Sequence, residues 1–139
     1  MRQMILVMLL FLSAVMSMYS QTVEGIWQNY TDDEIQSHIK VYVEDGKLYG
    51  KVVKMFPHTK ITHCKKCKGE QKGARLDEIF VFWDLTLDGK NWDHGRILDP
   101  KSGKNYACQL ELEDANTLKI RGYVGKPIFG RSFSWHRVE

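Results

Sequence analysis

The sequence predicts an all-β fold, an antiparallel up-and-down β-barrel of about eight strands, on three observations. Hydrophobicity alternates with a period of two from residue 21 onward, which puts successive side chains on opposite faces of a sheet. No stretch of that region carries the apolar stripe of an amphipathic helix. Tight-turn residues recur between the alternating runs, and short connections make consecutive strands antiparallel, because a parallel pair needs a long crossover. Closing such a meander on itself removes its exposed edges; a two-sheet sandwich is the competing arrangement with the same strand count.

Each strand has its own justification. VEGIWQNY is the first run. In SHIKVYVEDGKLYGKVVKMF, Ile39, Val41 and Val43 alternate with His38, Lys40, Tyr42 and Glu44. Asp45 and Gly46 then make a tight hairpin, since both residue types accept the positive φ it requires, and residues 47–56 return. EIFVFWDLTL is β-branched and aromatic, and DGK at 88–90 turns it into NWDHGRILD. DPKSGK at 99–104 is a turn cluster of proline, glycine and aspartate. NYACQLELE puts Tyr106, Cys108, Leu110 and Leu112 on one face and Ala107, Gln109, Glu111 and Glu113 on the other. After the turn EDANT, TLKIRGYV sends Leu118, Ile120, Gly122 and Val124 inward. RSFSWHRV places Phe133, Trp135 and Arg137 on one parity. One connection is long, residues 57–77, and it holds the motif CKKC.

The N-terminus, MRQMILVMLLFLSAVMSMYSQ, reads as a signal peptide over residues 1–20. Arg2 is its basic start, and Met4 to Met16 is an uncharged apolar run shorter than the roughly 20 residues that span a bilayer. Cleavage after Ser20 leaves residues 21–139 as a single β-barrel domain, exported to the periplasm or beyond the cell, with no stable membrane insertion. The formal net charge of +3 gives no electrostatic case for nucleic acid, and the lysines around CKKC form a local solvated run. A hydrophobic content of 43% suits an ordinary globular domain.

GIW at Gly25–Trp27, on the first strand, resembles the G-x-W signature of lipocalins and their calycin relatives. That resemblance implies that Trp27 closes one barrel end with an arginine from near the last strand packed across its ring. Arg137 matches that position, with Arg121, on the outward parity, as the lesser candidate. A guanidinium over an indole gains roughly 0.5–2 kcal/mol and caps carbonyls at the rim. A longer match runs through GIW, CKKCKGE, GRILDPKSGKNYACQLEL and TLKIRGYVGKPIFGRSFSWHR. Over nearly the whole mature chain it resembles a family of short exported bacterial proteins, domain of unknown function twenty-one forty-seven. The family is uncharacterised, so the resemblance implies a fold and a compartment and no activity.

Cys64 and Cys67 read as a disulfide clasp on the long loop, in keeping with export. The same spacing admits a half metal site completed by His58 or His63, a thioredoxin-like redox pair, or pairing with Cys108. No second C-x-x-C and no βαβ pattern accompany it, so no metal or cofactor is expected. Cys108, between Tyr106 and Leu110, reads as a buried unpaired thiol. NWDHGRILD gathers Asp93, His94, Arg96 and Asp99, a combination of general base and orienting carboxylates, but mixed charge beside a turn is ordinarily structural. No catalytic residue is expected. Trp83, Tyr106, Phe133 and Trp135 are the expected barrel interior, filling it or lining a narrow aromatic cavity. The resulting expectation is a non-catalytic envelope protein that binds a small apolar ligand. Its rivals are a protein-interaction or scaffold module with a filled core and, behind both, a thiol or metal enzyme.

Overall fold

The computed structural model describes residues 22–138 apart from 32 and 58. The expected signal peptide, residues 1–20, and His58 lie outside the described residues. Eight strands close into one antiparallel barrel in chain order. They are β1 (Gly25–Thr31), β2 (Glu34–Glu44), β3 (Lys47–Met55), β4 (Phe80–Asp88), β5 (Asn91–Asp99), β6 (Lys104–Asp114), β7 (Thr117–Tyr123) and β8 (Gly130–Arg137). The sandwich alternative is thereby set aside. Asp45 and Gly46 hold φ of 51° and 76°, the left-handed pair that a two-residue hairpin needs.

Alternation decides the interior, with one local break. Asp84 sits at φ 61°, and across it the inward positions of β4 run Phe82 then Leu85. Two glycines on neighbouring strands make room for them. A Cβ on Gly50 would lie 2.4 Å from the Phe82 ring, and one on Gly95 would lie 2.5 Å from Cγ of Leu85. Trp83, expected in the barrel interior, is therefore outside it. Its ring packs on the outer face of the sheet with Leu98 and the two cysteines of the long loop. The bulge at Asp84 and the ring-sized space over Gly50 put Phe82 inward instead.

The hairpins β2–β3, β4–β5 and β6–β7, with the start of β1, gather at one end of the barrel. The β1–β2 turn, the 56–79 loop, the β5–β6 turn and the β7–β8 loop gather at the other. Toward the hairpin end the interior is filled, with Trp27, Leu48, Leu85, Leu110, Leu118 and Ile120 wholly buried. Among the described residues no helix is long and apolar enough to cross a membrane.

Candidate functional site

The hairpin end is sealed from two ends of the chain. Trp27 is wholly buried, and its indole N–H donates to the Val23 carbonyl at 2.9 Å. The Arg137 guanidinium carbon lies 4.3 Å from the Trp27 ring centroid. Its Nε donates to Ala115 O at 2.7 Å, Nη1 to Glu24 O at 2.9 Å and Nη2 to Thr22 O at 2.7 Å. One planar cation thus satisfies carbonyls of the N-terminal segment and of the β6–β7 turn while covering the indole. Arg121 lies elsewhere, donating to Pro127 O and to Ser132 Oγ in and beside the β7–β8 loop.

The opposite end is open. A cavity of about 830 Å³ occupies the mouth half of the barrel. Ile39, Val52, Ile97, Tyr106, Phe133 and Trp135 are among the side chains that line it. Trp135 is buried to 3% exposure, with its ring stacked 6.0 Å from Phe82 and tilted 6.1 Å from Phe133. Those rings divide the filled half from the empty half. The interior is therefore neither solid nor hollow throughout, and its free volume is within the usual range of small-molecule sites, roughly 300–1,000 Å³. Tyr106, Phe133 and Trp135 come together in this lining; Trp83 does not. Ile39 and Val52 were missed as lining of the space, although the alternation of β2 and β3 carries the signal for both.

Charge enters the cavity only at its rim, through Asp99, Lys101 and Arg131. Asp99 is used by its own turn, accepting from the Lys101 backbone N–H at 3.1 Å and from Ser102 Oγ at 2.8 Å. Among the described residues no carboxylate pairs with Lys101 or Arg131. Arg131 shares the parity of Phe133, Trp135 and Arg137, so the sequence held the clue to its inward placement.

The first part of the long loop folds back on the outside of the sheet, while its end, with Leu76 and Ile79, reaches the wall of the cavity. Cys64 and Cys67 are bonded to each other and buried, at 0% and 3% exposure, in a second small core with Leu98. The loop is exposed over most of its length, as a solvated clasp should be, at Lys65, Lys66 and residues 68–73, while the sulfurs themselves are covered. Backbone bonds from Cys64 N–H to Ala74 O and from Gly73 N–H to Cys64 O, 2.9 and 2.8 Å, close the loop on itself. It rests against the β5–β6 turn, where Gly103 at φ +75° comes so close to the Lys66 carbonyl that a Cβ would overlap it. Cys108 is the free cysteine, wholly buried, and burial pushes its thiol pKa up.

Asp88, Asp93 and His94 stand around the start of β5 and are the one grouping of potential ligands among the described residues. His94 Nε2 is 3.2 Å from Asp88 Oδ2 on an exposed surface. Asp93 accepts from the Tyr123 hydroxyl at 2.8 Å, and burial together with that carboxylate pushes the Tyr123 pKa up to about 12. The cluster ties the β4–β5 hairpin to β7 and does not line the cavity.

A family model described as an uncharacterized protein conserved in bacteria (DUF2147) matches residues 25–137. No curated protein matches the chain. Among solved structures, the chain is similar to protein HP1028 from the human pathogen Helicobacter pylori, described as belonging to the lipocalin family. The TM-score is 0.73 at 17% identity, over 86% of this chain and 85% of that one. Likeness at that identity concerns the fold, and the closed eight-stranded antiparallel barrel is lipocalin-like.

Proposed function

We propose that this chain, which belongs to the DUF2147 family of uncharacterised bacterial proteins, is a non-catalytic carrier of a small amphiphile. The apolar body of the ligand occupies the mouth half of the barrel, and an anionic end faces Lys101 and Arg131. The observation that carries this reading is the cavity, about 830 Å³, walled largely by aliphatic and aromatic side chains, with Lys101 and Arg131, which have no carboxylate partner among the described residues, at its rim. It favours a binder over a scaffold with a filled core. The protein works in the exported compartment, a reading supported by the Cys64–Cys67 disulfide, which an oxidising setting maintains.

Gly122 offers the test. It lines the cavity, and a Cβ there would meet Ile97 Cγ2 at 3.6 Å and Ala107 O and Tyr106 Cβ at 4.0 Å, all ordinary contacts, so Gly122→Leu extends into free space. Single-chain amphiphiles with anionic heads should raise the melting temperature of the wild type more than neutral ones of equal chain length. Saturation at a hundredfold over Kd corresponds to about 2.7 kcal/mol. The folded Gly122→Leu variant should give little or no shift. If no amphiphile moves the wild type, or both proteins respond alike, the cavity is not the binding site.

A further inference from the structure

We propose that the open end is a docking face for an anionic lipid bilayer, with the β7–β8 loop as the inserted tip. That loop exposes three large apolar side chains within six residues, Val124 at 65%, Ile128 at 77% and Phe129 at 68%. They are not displayed by slackness. The Val124 N–H donates to Phe129 O, the Lys126 N–H to Val124 O and the Phe129 N–H to Lys126 O, at 2.9–3.0 Å. From below, Arg121 donates to Pro127 O and Ser132 Oγ. The fold therefore holds an apolar tip outward in a defined shape, when folding alone would favour tucking it in.

The partner's chemistry follows from the charges around the tip. Lys126 lies in the loop and Arg131 at its base. Lys101 is on the β5–β6 turn, and Lys65 and Lys66 stand on the clasp loop held against that turn by Gly103. Among the described residues none of these five cations has a carboxylate partner. Three of the four connections at this end are thus basic, and the β1–β2 turn, with Asp33 and Glu34, is the acidic exception. The far-end hairpins are net acidic, with Glu44, Asp45, Asp88, Glu113 and Asp114 against Lys47 and Lys90. A molecule polarised this way approaches an anionic surface mouth first. A short apolar tip among flexible lysines suits headgroups and acyl chains, which adapt to it. A stable protein partner needs about 800 Å² of fitted surface, and here the cavity opening interrupts the face. Docking also sets the mouth on the bilayer, so the amphiphile enters without crossing water; that last step rests on the carrier reading, and the docking itself does not.

Vesicle co-sedimentation tests it. Wild type should pellet with vesicles of phosphatidylcholine and phosphatidylglycerol at least tenfold more than with phosphatidylcholine alone, and added salt should release it. The double variant Ile128→Asp, Lys126→Glu, altered at two solvent-facing positions that do not line the cavity, should lose at least tenfold in bound fraction. It should still take up an apolar dye. Gly122→Leu should show the reverse pattern, docking retained and dye uptake lost, so failure of the docking surface and failure of the cavity are told apart. Equal binding to neutral vesicles, no binding to either, or an unchanged double variant would overturn the proposal and leave the tip to a protein partner.

Discussion

Arg137 joins the two ends of the chain across the base of the barrel, covering Trp27 and donating to carbonyls of Thr22, Glu24 and Ala115. Truncating it removes the stacking over the indole, worth roughly 0.5–2 kcal/mol, and leaves three carbonyls to find water at a partly covered rim. Arg137→Ala should therefore cost about 2–4 kcal/mol in urea unfolding. Arg121→Ala, which frees only the β7–β8 loop, should cost about 1 kcal/mol or less. Arg137→Lys keeps the charge but not the planar fork, so it should recover a minor part of the loss. Equal costs for the two alanine variants would mean that the seal is not where the stability lies. The pairing of Arg137 with Trp27 is legible in the sequence, because Arg137 shares a parity with Phe133 and Trp135 and ends the last strand. The placement of Trp83 is not, since its direction depends on a bulge at Asp84 and on ring-sized space above Gly50, a residue of the preceding strand.

At the scale of the element, the clasp loop is a small folded unit laid on the barrel wall. Its disulfide is a covered part of a core shared with Trp83, Leu98, Leu76 and Ile79, so it does more than shorten a solvated excursion. Replacing both cysteines by serine puts hydroxyls into that core and releases a short loop closure, for a loss of about 1–3 kcal/mol. The double variant should keep its strand signal in far-ultraviolet circular dichroism while proteases nick it within residues 56–79 much faster than the wild type. Loss of the barrel signal would show that the loop is needed for closure. The C-x-x-C spacing foretells the bond but not its burial, because the apolar partners Trp83 and Leu98 come from strands whose outer faces read as solvated.

The whole molecule is a barrel whose closure is uneven, and this bears on how a ligand enters. β1 pairs with β8 only at Trp27–Arg137 and Gln28–His136 among the described residues. β8 continues toward the mouth as Gly130 to Ser134, paired to β7 from Tyr123–Gly130 to Lys119–Ser134, with its other edge facing Asn29–Thr31 across the cavity opening. The number of strands can be counted in the sequence. Where the seam loosens cannot, because it depends on how far the last strand reaches along the first once the seal has fixed their register. Backbone groups on such an unpaired edge are open to water or to a guest. In hydrogen exchange, alternate amides of residues 130–134 should be lost early, while those of β7 that bond to β6 persist. An amphiphile that fills the cavity lies against Phe133, Ser134 and Trp135 and should slow exchange at that edge in the wild type but not in Gly122→Leu. Protection of 130–134 as strong as that of 117–123 without any ligand would show the seam to be closed, and entry would then have to run through the mouth alone.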